Sequence, residues 1–127
     1  MRHISFFIAA ALAAHAHAQL AAVSPWMTGE RLLELAKWPD GARDNLDLTP
    51  RQNLAQQQAK LYLHGVHDAT EGKAWCYSAE TRPKPAVLES AALDALRSMP
   101  PSQLKRNAAD LVVQAWASAW PCRGGRS

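Results

Sequence analysis

The sequence predicts a small all-α fold: a single-domain bundle of about four helices with one disulfide. Three observations predict it. Apolar residues recur every three or four positions in separate segments, as on the buried face of a helix. Helix-start and helix-stop residues bracket those segments. No stretch alternates apolar and polar residues as a half-buried strand does, and there is no repeat and no heptad run.

The first segment is a leader. Met1-Arg2-His3 is a short positive start, and Ile4 to Leu12 is apolar and free of acids. Ala16-His17-Ala18 then fits the small-x-small cleavage rule. Residues 1–18 are therefore expected to be a signal peptide, followed by a flexible lead-in over 19–26. A spanning helix needs about 20 apolar residues, and this run is shorter. No lipobox-type cysteine follows the cleavage site, so no membrane partner is expected once the leader is removed. The expected location is the periplasm of a Gram-negative bacterium, or the medium.

The first helix starts at Thr28, whose hydroxyl can cap free backbone N–H groups. Glu30 lies in its first turn, where the helix dipole favours an acid. Leu32, Leu33 and Leu35 supply its apolar side, and Trp38-Pro39-Asp40-Gly41 is a strong turn signal. The second helix has the clearest start. Thr49-Pro50-Arg51-Gln52 combines a capping threonine, proline at the first helical position and glutamine three residues on. It is expected to run to about Glu71, with Gly72 as its stop. Its predicted buried stripe is Ala55, Ala59, Tyr62, Leu63, Val66 and Ala69. Gly65 borders that stripe. A mid-helix glycine costs about 1 kcal/mol against alanine, so a close helix approach is expected there.

Lys73 to Lys84 reads as an irregular loop. Pro85 opens a third helix with Leu88, Ala92, Leu96 and Met99 on its inner side, ended by Pro100-Pro101. Asn107 caps a fourth helix, whose inner face is Ala108, Leu111, Val112, Ala115, Trp116 and Ala119. Residues 123–127 are a tail.

Composition excludes several functions. The 14 lysines and arginines stand against 11 acids, and one of the 14, Arg2, leaves with the leader. The rest are scattered, without the basic stripe that tracks phosphates, so no nucleic-acid partner is expected. Phosphate loops and Gly-x-Ser-x-Gly elbows are absent, and no cofactor is assigned. In an oxidising compartment Cys76 and Cys122 have one obvious use, a disulfide tying the last helix to the middle of the chain.

The one cluster that suggests chemistry is His64, His67 and Asp68. Lys60 and Glu71 share their helix face. His64 and Asp68 are four apart, as two metal ligands on a helix would be. The zinc-protease pattern is absent, and no further ligand is evident. The same residues fit a solvated helix face carrying two titratable histidines. Trp116 and Trp120, four apart on one helix, fit the core. Trp38 and Trp75 lie at helix–loop boundaries, where an aromatic either packs or anchors a partner.

Taken together, Met27-Thr28-Gly29, Leu32-Leu33, Tyr62-x-x-Gly65-x-x-Asp68, Trp75-Cys76 and the run from Ala109 through Leu111-Val112 and Ala115 to Trp120-Pro121-Cys122 resemble the Rap/Tai family of periplasmic immunity proteins linked to type VI secretion. The likeness spans residues 27–122. It implies a small, exported, non-enzymatic helical protein. Such a protein binds a cell-wall-degrading amidase effector and blocks its cleft. Some members act as homodimers, so a second copy of the chain is also an implied partner. The Cys76–Cys122 pair matches the C-terminal bridge of the family. A second bridge common in the family is absent, since Leu35-Ala36 and Gln57-Gln58-Ala59 stand where its cysteines would be. The first helix is then held by packing alone.

Hot spots at protein interfaces favour Trp, Tyr and Arg. The expected contact residues are therefore Lys73, Trp75, Tyr77, Glu80 and Arg82, in the loop before the third helix. Mere connection, tethered by Cys76, is the competing role for that loop. Two other functions compete with immunity: a small metal-binding or metal-dependent envelope protein using His64, His67 and Asp68, and a structural envelope accessory protein.

Overall fold

A computed structural model of the chain describes residues 24–123. The expected signal peptide, most of the lead-in and residues 124–127 of the tail lie outside the described residues. Five helices follow in order: α1 (Gly29–Leu35), α2 (Pro50–Thr70), α3 (Pro85–Arg97), α4 (Pro101–Leu104) and α5 (Ala108–Ala119). Single 3-10 turns occupy Asn45–Asp47 and Ala79–Thr81. The described residues contain no strand, only isolated bridges. No helix among them is long and apolar enough to cross a membrane.

Local chemistry sets the helix ends. Thr28 Oγ1 accepts from the Arg31 N–H at 3.1 Å. At α2 the full capping box forms: Gln52 N–H donates to Thr49 Oγ1, and Thr49 N–H donates to Gln52 Oε1. Two orphan donors are satisfied at once. Gly72, just past the end of α2, has φ of 74°, a left-handed conformation that costs glycine no side-chain clash. The one-turn α4 was not among the expected helices. Pro101 at its first position pre-sets the helical φ, so Pro100-Pro101 both ends α3 and starts a new turn.

The core lies where α5 packs on α3, α2 and α1. Leu32, Leu63, Leu96, Leu111, Val112, Trp75 and Trp116 are its largest fully buried side chains. Each buried leucine contributes about 1.5–3 kcal/mol relative to exposure. The segment before α1 pairs with the segment before α5. Ala108 N–H donates to Met27 O at 2.9 Å, and Gly29 N–H to Arg106 O at 3.2 Å. Gln56 on α2 donates to the Lys37 carbonyl beyond α1.

Three packing expectations need correction. Gly65 is exposed, and a Cβ there would meet nothing within 4 Å; the close approach is at Gly29 instead. A Cβ on Gly29 would sit 2.8 Å from Leu111 Cδ1 and just over 3 Å from Leu96 and Leu104. Ala69 is exposed, because α2 turns His67 and Thr70 toward the protein at that end. Ala119 is likewise exposed at the last turn of α5, where Trp120 takes the inward place.

Candidate functional site

The loop between α2 and α3 is irregular but tied down at several points. After Gly72 the chain doubles back, and Gly72 N–H donates to the Trp75 carbonyl at 2.8 Å. This drops the Trp75 ring into the core, where none of it is exposed. Its indole Nε1–H donates to Thr70 Oγ1 at 2.9 Å. The ring lies 4.9 Å from Trp116, 5.4 Å from His67, 5.6 Å from Tyr77 and 6.3 Å from Trp120, centroid to centroid. Aromatic pairs at such separations add about 0.5–1.5 kcal/mol beyond area burial.

Cys76 follows at once. Its N–H donates to the Trp120 carbonyl at 3.0 Å, and its sulfur is bonded to that of Cys122, 46 residues on. The expected disulfide is present. Tyr77 is half-buried, and its hydroxyl meets His67 Nε2 at 3.2 Å. The Arg82 guanidinium lies 5.8 Å from the centre of the Tyr77 ring, within cation–π range. Ser78 and Thr81 close the 3-10 turn, with Ser78 N–H donating to Thr81 Oγ1. A hydrogen bond from Ser78, then one from its own backbone, hold the Glu80 carboxyl below the usual carboxylate range.

Of the five expected contact residues, Lys73, Glu80 and Arg82 are exposed and Tyr77 is half-buried. Lys73 Nζ caps the α2 end by donating to the Ala69 carbonyl at 3.1 Å. Trp75 departs from the set: it is a core residue that positions the loop and offers no surface.

The loop contributes to two clefts. One, of about 470 Å³, lies between α2 and the start of α3. Leu63, Leu88 and Trp116 give it an apolar lining, with His64, His67, Asp68, Glu89, Arg82 and Lys84 as the polar groups. The other, of about 510 Å³, lies beside the disulfide and takes in Tyr77 and Trp120. Glu89 and Lys84 escaped the sequence reading. Glu89 reaches His64 from another helix, with Oε1 2.9 Å from Nε2, and no spacing rule connects residues 25 apart.

The histidines are not equivalent. His64 is half-exposed, whereas the His67 side chain is only 20% exposed. His67 therefore does not belong to a solvated face; it is wedged against Trp75 and Trp116. Both its ring nitrogens are engaged, Nδ1 with Asp68 Oδ1 at 2.8 Å and Nε2 with Tyr77. Among the described residues no three His, Cys, Asp or Glu side chains are grouped to hold a metal ion. The geometry gives no support to a metal centre at His64, His67 and Asp68.

The family model for Rap1a immunity proteins matches residues 28–122. The chain belongs to that family. A comparison with curated proteins gives no match. For this Rap1a-family protein, membership points to immunity against a type VI effector and to a cognate toxin as partner. Such immunity proteins are generally non-enzymatic and typically periplasmic. The match begins at the α1 cap and ends on Cys122, so it takes in all five helices and both cysteines.

Proposed function

We propose that this chain is a periplasmic immunity protein that binds a peptidoglycan amidase effector and occludes its cleft. Export by residues 1–18 belongs to the same proposal. The observation that carries it, beside the family match, is the tethered loop. Lys73, Tyr77, Glu80 and Arg82 project from a segment held by the Trp75 ring, the Cys76–Cys122 bond and the Tyr77–His67 contact. A surface ordered before binding loses less entropy on docking. Occlusion needs shape and a few anchors, and no reactive group.

The test is survival. A candidate cell-wall amidase is directed to the periplasm with and without this chain, leader intact. Rescue is expected, and it is expected to disappear when residues 1–18 are deleted. Arg82→Glu with Glu80→Lys is expected to weaken toxin binding by about tenfold or more without lowering the melting temperature, since both side chains are exposed. Full protection by that folded variant moves the contact surface elsewhere. Absence of rescue by well-expressed native protein removes the amidase as target.

A further inference from the structure

Occlusion by the tethered loop leaves the 470 Å³ cleft beside it, between α2 and the start of α3, without a task. The bottom of that cleft is apolar and closed. Leu63, Leu88 and Trp116 are buried there, and the Trp116 indole Nε1–H is committed to the Leu88 carbonyl at 2.9 Å. The bottom therefore offers an occupant apolar contact and no side-chain donor.

The polar groups of the walls are of two kinds. Those on α2 and α3 already face one another: His64 meets Glu89, and His67 meets Asp68 and Tyr77. The remaining edge is Arg82-Pro83-Lys84-Pro85. Neither Arg82 nor Lys84 has an ion-pair partner among the described residues. Each precedes a proline, which keeps it extended, with ψ of 116° at Arg82 and 148° at Lys84. Proline also fixes φ at positions 83 and 85, and the Tyr77 ring steadies the Arg82 guanidinium at 5.8 Å. Two cations thus stand on an edge that is stiff before any ligand arrives, and such an edge loses less entropy on docking.

A carboxylate complements the two unpaired cations, and an apolar group complements the bottom. We propose that the cleft receives a polypeptide segment of a partner protein, one that presents a large apolar side chain next to a glutamate or aspartate. The apolar group lies over Leu88 and Trp116, and the carboxylate accepts hydrogen bonds from Arg82 and Lys84. Arg82 belongs both to this edge and to the tethered loop, so a protein docked on that loop also covers the mouth of the cleft. Assigning the segment to the effector rests on the proposed immunity role. Docking then runs in both directions, the loop entering the effector's cleft while an acidic segment of the effector enters this one.

The test has two arms. The first needs no toxin: the acetylated and amidated peptide Gly-Phe-Glu-Gly is titrated into the isotopically labelled native protein and followed by NMR. Saturable shifts are expected at the Trp116 indole N–H and the Lys84 amide, with a Kd on the order of 1 mM, the affinity of a short segment with two anchors. Peptides with lysine in place of glutamate, or glycine in place of phenylalanine, are expected to bind about fivefold more weakly or worse. Lys84→Glu is expected to weaken the parent peptide by about fivefold or more, and Lys84→Arg to stay within about twofold of native. Lys84 is exposed and caps α3 without a side-chain hydrogen bond, so both variants are expected to keep the native melting temperature. Absence of shifts at the cleft, or equal affinity for the lysine peptide, overturns the proposal.

The second arm uses the candidate amidase. Lys84→Glu is expected to weaken its binding by about tenfold or more. Equal binding of the amidase to the native and Lys84→Glu proteins overturns the assignment of the segment to the effector. An amidase that the native protein does not bind removes the immunity role for that enzyme, whereas selective binding of the Phe-Glu peptide still upholds the cleft as a site for an apolar, acidic segment.

Discussion

The Trp75 indole donates to Thr70 Oγ1 at 2.9 Å, and that hydroxyl donates in turn to the Val66 carbonyl at 2.6 Å. The two bonds run from the loop, through the last turn of α2, into the helix backbone. They let a fully buried tryptophan keep its N–H satisfied, which an apolar pocket alone could not do.

Thr70→Val keeps the shape and removes the acceptor. It is expected to cost about 1–3 kcal/mol, the penalty for a buried donor left unpaired. Thr70→Ser keeps the acceptor and is expected to lose much less. Chemical denaturation of the two variants checks both values.

Reduction of the Cys76–Cys122 bond frees a loop of 46 residues' separation. The chain-entropy model puts the loss at about 4 kcal/mol. Reductant is expected to lower the melting temperature, and Cys76→Ala to lower it similarly. An unchanged melting temperature would mean that the Trp75–Trp120 packing holds the loop unaided.

Two glycines should respond in opposite directions to alanine. Gly29→Ala pushes a methyl against Leu111, Leu96 and Leu104 and is expected to destabilise by about 1–3 kcal/mol, as overpacking does. Gly65→Ala meets open space and is expected to stabilise the single chain by up to about 1 kcal/mol. Urea midpoints of the two variants, set against the native protein, separate the two effects.

Burial, then the nearby Asp110, raise the Tyr62 phenol above its ordinary value, against a backbone hydrogen bond from Ala109. The unfolded chain therefore releases this proton at lower pH than the folded one. The contribution is fully present below about pH 10, the usual tyrosine value, and is lost as pH rises through the folded value. Tyr62→Phe should flatten the alkaline limb of the stability profile and leave the acidic limb unchanged. Parallel alkaline limbs in the two proteins would contradict this.

Much of the architecture is legible in the residues themselves. Thr28, Thr49-Pro50-Gln52, Pro85 and Asn107 place four helix starts and Gly72 one helix end, because caps, prolines and left-handed glycines act within a turn of the chain. The cysteine pair and the family likeness were equally readable. Other features were settled only by tertiary packing. Spacing alone put Gly65 at a close contact and His67 on a wet face, yet the close contact is at Gly29 and His67 lies against two tryptophans. Trp75 could have been an anchor or a core residue until the turn at Gly72 and the Thr70 hydroxyl placed it inside. The reason is range: caps are decided by neighbours three or four residues away, whereas Glu89 meets His64 across 25 residues and Cys122 meets Cys76 across 46. A helical period says which residues share a face, and only the partner helix decides which face is buried.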